Sequence, residues 1–119
     1  MCIFCKIVAG EIPANRVLEN DEFLAFHDIS PKAPVHVLII PKHHIENFQS
    51  VSGDLMAKMT PFIQEVAKKL SLDRTGYRLI TNNGEDGGQE VMHLHFHMLG
   101  GAKLLWPHLA PEKEAKKFV

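Results

Sequence analysis

Apolar and polar positions alternate with period two through His93-Leu94-His95-Phe96-His97-Met98-Leu99. Successive side chains of a strand point to opposite faces. The pattern predicts a strand with Leu94, Phe96 and Met98 on one face and three imidazoles on the other. Val35-His36-Val37-Leu38-Ile39-Ile40 is rich in β-branched residues and closed by Pro41, which predicts a central, well-buried strand. Arg16 to Leu18 and Phe23 to His27 flank the polar run Glu19-Asn20-Asp21-Glu22 and predict a β-hairpin. Asp28 to Pro34 is a loop, and Gly76 to Thr81 is one more strand. From Ser52 to Leu70 the period changes. Leu55, Met59, Phe62, Ile63, Val66 and Leu70 form a stripe at helical spacing. Ser52 or Gly53 can cap that helix, with Asp54 in its first turn and Lys68 and Lys69 in its last. Pro61 removes one hydrogen bond, predicting a kink or a helix that starts only at Thr60. The stripe reads as core, possible to share with a partner subunit. Residues 3 to 9 predict a short N-terminal helix ended by Gly10 and Pro13. The class is α+β: about five antiparallel strands with one long helix on a face and a short N-terminal helix.

At 119 residues the chain is expected to be one domain, 1–119, with residues 102–119 as a loosely ordered C-terminal tail. Hydrophobic residues at 45% and charged residues at 23% are ordinary for a soluble globular protein. A net charge of −1 gives no reason to expect nucleic acid or a membrane as partner. No apolar run approaches a transmembrane length, and the N-terminus has no signal-peptide pattern. The expected location is cytoplasmic. Thiols stay reduced there, so Cys2 and Cys5 read as ligands or small hydrophobes rather than as a disulfide.

The chemistry concentrates in the histidine row. Three of the chain's eight histidines fall within five residues. Imidazoles two apart on a strand stand about 6.6–6.8 Å apart, and each can act as base, nucleophile or metal ligand near neutral pH. Adjacent imidazolium ions repel, so at least one should stay neutral and nucleophilic. A merely solvated face would be served by Lys, Thr or Glu, so the row points to catalysis or metal binding. His36, polar inside a buried strand, reads as a fourth site imidazole. The loop Asn82-Asn83-Gly84-Glu85-Asp86-Gly87-Gly88-Gln89 leads directly into the row. Its glycines can aim backbone amides at an anion, and Asn82 can add a side-chain donor. A glycine loop beside a nucleophilic imidazole suggests phosphoryl or nucleotidyl transfer. Neither a Walker-type Gly-Lys-Ser/Thr nor a GxGxxG is present.

Taken together, these residues resemble the histidine triad (HIT) superfamily, and most of all its Hint-like nucleoside phosphoramidate hydrolase branch. The likeness is carried by Ile3-Phe4, Glu11-Ile12-Pro13, Phe26-His27-Asp28-Ile29-Ser30-Pro31, Ala33-Pro34, His36, Gly87-Gly88-Gln89, the triad, Gly100-Gly101 and Trp106-Pro107. It implies that His95 is the nucleophile of a covalent nucleotidyl-histidine intermediate. It makes His97 a phosphate contact that helps protonate the leaving group, His93 an orienting residue, and His36 the end of an imidazole relay. Asn82, Gly88, Glu90 and the Val91 amide fall at phosphate-binding positions, Asp28 at the ribose, and Phe4, Ile7, Phe26, His27 and Ile29 at the purine pocket. The implied substrate is a purine nucleotide and the implied assembly a homodimer. Alternatives are a dinucleoside polyphosphate hydrolase, or a nucleotide-binding scaffold whose hydrolysis is incidental. Glu90 stands where the animal members of that branch have a serine.

Cys2-Ile3-Phe4-Cys5 is a CxxC, and two cysteines with two histidines complete a tetrahedral zinc set. The resemblance implies Cys2, Cys5, His44 and His93 as ligands, with His43 adjacent as an alternative. Four protein ligands make such an ion structural, and the resemblance implies that no cofactor is required for catalysis.

Overall fold

The computed structural model describes all residues, Met1–Val119. Five strands form one antiparallel sheet: β1 (Arg16–Glu19), β2 (Phe23–His27), β3 (Val35–Pro41), β4 (Tyr77–Ile80) and β5 (Phe96–Gly100), in the spatial order β1-β2-β3-β5-β4. The helices are α1 (Ile3–Val8), α2 (Gly53–Lys69), α3 (Leu72–Thr75) and α4 (Glu112–Ala115). The expected hairpin is present. The Asn20 side chain closes its turn by accepting from the N–H groups of Glu22 and Phe23, at 2.9 and 2.8 Å.

Period-two alternation separates two cores. On one face Phe23, Ala25, Val37, Ile39, Leu94, Phe96 and Met98 meet Met59, Phe62, Ile63, Val66 and Ala67 of α2. On the other, Leu24, Phe26, Leu38 and Ile40 meet Phe4 and Ile7 of α1. β3 is buried from His36 to Pro41 because both of its faces are covered. His36 lies on the α1 face, in step with Leu38 and Ile40.

The helix α2 runs unbroken through Pro61, so the alternative start at Thr60 does not hold. Ser52 caps it, its hydroxyl accepting from the Leu55 N–H at 3.1 Å. Pro61 and Ala57 are both exposed, so the carbonyl deprived of its donor faces water, where the lost bond costs least. The apolar stripe is covered by the protein's own sheet, with Leu55 and Leu70 half-buried at its ends. It is not a bare face awaiting a partner. The short α3 carries no sequence signal, yet it matters. A Cβ at Gly100 would meet Leu72 Cδ2 at 2.8 Å, so that glycine is what lets α3 lie against β5. No helix is long and apolar enough to cross a membrane. The tail is docked only at its start. The Arg78 guanidinium lies 4.7 Å from the Trp106 ring centre and donates to the Leu105 carbonyl at 2.8 Å, after which the chain is exposed through α4.

Candidate functional site

The histidine row is only partly a strand. β5 begins at Phe96; His93 lies in a bend and His95 in the irregular segment before the strand. Facing nevertheless alternates as expected, with Leu94, Phe96 and Met98 in the α2 core. The His95 and His97 rings lean together, 5.2 Å between centres, closer than strand geometry alone gives.

Hydrogen bonds fix the proton positions. His95 Nδ1 lies 2.7 Å from the His93 carbonyl. A carbonyl only accepts, so Nδ1 carries the hydrogen and Nε2 of the neutral ring keeps its lone pair. The Lys32 N–H donates to His36 Nδ1 at 3.0 Å, so the hydrogen of neutral His36 is on Nε2. That atom is 2.9 Å from His97 Nδ1 and 3.4 Å from Asp28 Oδ2. His97 Nδ1 therefore accepts, and the His97 hydrogen sits on Nε2. Asp28, His36 and His97 are close enough to suggest a metal site. His36 Nε2, bearing a hydrogen, has no lone pair to give a cation. The group is a hydrogen-bonded chain, oriented by the Lys32 amide, that runs through two rings and leaves a donor at His97 Nε2.

These rings open onto a cavity of about 630 Å³. Its walls include His36, His95 and His97, and all ten expected nucleotide residues: Phe4, Ile7, Phe26, His27, Asp28, Ile29, Asn82, Gly88, Glu90 and Val91. His93 is not in the wall. It is fully buried, and it reaches the site only through its carbonyl. The glycine loop departs from expectation. The Gly88 N–H is spent on the Glu85 carbonyl at 3.0 Å, and the Gly84 N–H on Gln89 Oε1 at 2.9 Å. Of the cavity-lining residues Gly88, Glu90 and Val91, the last two are those whose amides take no backbone acceptor. Gly88, at φ +81°, supplies the turn rather than a donor.

Behind the histidines lies a second cluster. The ligand atoms of Cys2, Cys5, His44 and His93 all lie within 4.8 Å of one another. The sulfur–nitrogen separations are 3.6 and 3.2 Å from Cys2, and 3.3 and 3.5 Å from Cys5, to Nδ1 of His44 and His93 respectively. A tetrahedral zinc with sulfur at about 2.3 Å and nitrogen at about 2.05 Å sets edges of about 3.5 Å. The donors fit. The sulfurs stand 3.1 Å apart, nearer than the zinc edge of about 3.8 Å but far beyond the disulfide length of about 2.05 Å. His93 Nε2 donates to the Pro41 carbonyl at 2.8 Å, which leaves Nδ1 as the free lone pair. His43 lies elsewhere, on a surface groove beside Lys42 and Ser52, so His44 is the neighbour that joins the set.

Burial governs the charges. Loss of hydration pushes His97 down to about 4, helped by His95 and His36. The same cause lowers His36, against the pull of Asp28, and lowers His93, against its bond to Pro41. Desolvation and the adjacent Cys2 sulfur push the Cys5 thiol up, a crowding that a divalent cation reverses. The His97 shift has a consequence for stability. Between about 4 and 6.5 the folded ring binds fewer protons than the unfolded one, so stability is complete above pH 6.5 and declines as pH falls toward 4. The loss is about 2 kcal/mol after allowance for partial solvent contact. Thermal melts of His97→Gln and the parent from pH 7 to 4.5 should converge by that amount. Parallel curves would remove the assignment.

Comparison with known proteins bears on this arrangement. A family model described as the HIT domain matches residues 9–104. The chain belongs to the HIT family. A HIT-like protein of Helicobacter pylori that has not been characterised is 55% identical over 103 residues, 87% of this chain and 99% of the relative. A solved HIT family hydrolase from Legionella pneumophila is 47% identical, with a TM-score of 0.84, covering 90% of this chain and 98% of its own. A histidine triad nucleotide-binding protein from Candida albicans is 36% identical at a TM-score of 0.78, covering 97% and 89%. The HIT match begins after α1, so Cys2 and Cys5 lie outside it while His44 and His93 lie within.

Four residues of this HIT site escaped the sequence reading. Lys32 acts through its amide, Pro41 through its carbonyl, Thr81 by donating to the His95 carbonyl at 2.8 Å, and Gln89 from inside the loop. Only Gln89 left a signal, as a polar residue where the glycine run meets the triad.

Proposed function

We propose that the protein hydrolyses purine nucleoside phosphoramidates at the α-phosphate, through a nucleotidyl-His95 intermediate, releasing a nucleoside monophosphate. The observation that carries this reading is the pinned His95 ring, its Nδ1–H held by the His93 carbonyl and its Nε2 left as the lone pair. Nε2 attacks phosphorus, the P–N bond breaks, and water then frees His95. The amides of Glu90 and Val91, with Asn82, take the non-bridging oxygens. His97 Nε2 lies on the same wall; the ring, once protonated, passes its Nε2 proton to the departing amine, returns to neutral, and takes up the proton of the attacking water. With its pKa near 4, the protonated ring is scarce at neutral pH but gives its proton up readily. Asp28 accepts from the ribose hydroxyls, and the base lies among Phe4, Ile7, Phe26, His27 and Ile29.

The reading gives Cys2, Cys5, His44 and His93 a structural zinc ion, which cross-links the N-terminus to the triad segment and leaves the chemistry to the imidazoles. It also makes the protein a cytoplasmic homodimer. Support for pairing lies at β4, an edge strand with Tyr77 and Leu79 exposed.

The discriminating test is a comparison of kcat/KM for adenosine 5′-phosphoramidate and diadenosine polyphosphates. The phosphoramidate should be preferred by at least about tenfold, a difference of about 1.4 kcal/mol in transition-state binding. The reverse order would make the protein a dinucleoside polyphosphate hydrolase, and turnover of neither would leave a nucleotide-binding scaffold.

A further inference from the structure

Gln89 is the one buried polar residue near the cavity that has no part in the chemistry proposed above. It is 7% exposed and follows two glycines. Its side chain makes three hydrogen bonds into three separate segments. Oε1 accepts from the Gly84 N–H at 2.9 Å, while Nε2 donates to the Glu46 carbonyl at 2.8 Å and the Val91 carbonyl at 3.1 Å. Its own N–H returns to the Gly84 carbonyl at 3.0 Å, so Gly84 and Gln89 are clasped by a reciprocal pair.

This arrangement determines which amides reach the cavity. Bonds to Glu85 and to Gln89 itself consume the N–H groups of Gly88 and Gly84. Gln89 Nε2 also holds the Val91 carbonyl, one peptide unit beyond the Val91 N–H. The Glu90 and Val91 N–H groups are left without a backbone acceptor, and both residues line the cavity. Preorganised donors of this kind bind an anion without reorganising.

We infer that Gln89 is the positioning residue of the phosphate cradle, bracing the segment from Gly84 to Val91 so that the Glu90 and Val91 N–H groups meet the α-phosphate. It touches no substrate. The inference rests on the nucleotide reading of the same cavity. Its particular content is that Gln89 controls the phosphate's share of binding and leaves the nucleoside's share untouched. A role in the fold at large would not divide the two in this way, because the base and ribose walls come from α1, β2 and the Asp28 loop.

The test measures dissociation constants for AMP and for adenosine by calorimetry, on the full chain and on Q89M and Q89E. Methionine keeps the volume and loses all three bonds. Glutamate keeps the acceptor for Gly84 but turns a carboxylate oxygen toward the Glu46 and Val91 carbonyls, where it cannot donate unless protonated. Both variants should weaken AMP by roughly tenfold to a hundredfold, the loss expected for one or two hydrogen bonds to a charged group. Adenosine should change by less than about twofold. KM for the phosphoramidate should rise with the AMP constant. A parallel loss of AMP and adenosine binding would overturn the inference, since it marks a role in the fold at large. Unchanged AMP binding would overturn it too, as would failure of both variants to fold. If the parent itself binds AMP no better than adenosine, the nucleotide reading fails first, and that result is seen before any variant is made.

Discussion

Alanine in place of His95 is expected to lower kcat by about four to six orders of magnitude, the usual loss for a covalent nucleophile. The nucleotide should still bind. His95 Nε2 is the only triad nitrogen offered to the cavity as a lone pair, because His97 Nε2 carries a hydrogen and His93 is buried away from the wall. No neighbouring ring can take over without reversing the Lys32–His36–His97 chain, which would strand the Lys32 N–H. The substitution removes one hydrogen bond to the His93 carbonyl, a stability loss of about 1 kcal/mol, so the variant should remain folded. Single-turnover kinetics, with a melting curve as control, decide it. Residual turnover above about one part in a hundred would mean that another group attacks phosphorus.

The second large effect concerns the sulfur–histidine cluster. Replacing Cys2 and Cys5 together by serine should abolish stoichiometric zinc binding and lower the melting temperature by on the order of 10 °C, the equivalent of about 2 kcal/mol in a domain of this size. A complete collapse is not expected, because the two cores on either face of the sheet do not depend on the cysteines. The damage should spread to the triad. His93 faces the sulfurs with Nδ1, anchors to Pro41 with Nε2 and holds His95 with its carbonyl. Freeing Nδ1 lets that ring rock, and the backbone under the nucleophile moves with it. Metal content by mass spectrometry and the melting curve read this independently of activity. A parent protein purified without metal, whose melting curve is unmoved by added zinc, would show that the cysteines only pack.

Much of the molecule was legible in the sequence because short-range patterns carried it. Strict alternation at Leu94, Phe96 and Met98 placed the imidazoles on the face opposite α2, and the β-branched run from Val35 to Ile40 marked the strand buried on both sides. Ten cavity residues were reached through motif likeness, since nothing local in Phe4 or Asp28 says that α1 folds over β2. What escaped is long-range or lies in the backbone. The Lys32 amide, the Pro41 carbonyl and the Thr81 hydroxyl act through positions that only tertiary pairing defines. The glycine loop was read as an amide donor because glycine permits that. In fact the amides of Gly84 and Gly88 are consumed within the loop, and in the cavity wall the donors without a backbone acceptor belong to Glu90 and Val91. Pro61 suggested a kink or a helix starting only at Thr60; the late start does not occur, because propensity yields where the orphaned carbonyl faces water and the next turns are buried.

The most direct measurement is to mix the protein with a slow-leaving adenosine phosphoramidate, quench at high pH where a phosphorus–nitrogen linkage to histidine survives, and map the adduct by mass spectrometry. One adenylate on His95 is the result predicted here, absent in His95→Ala. Adenylate on any other side chain, or rapid turnover with no adduct at any time point, would contradict it.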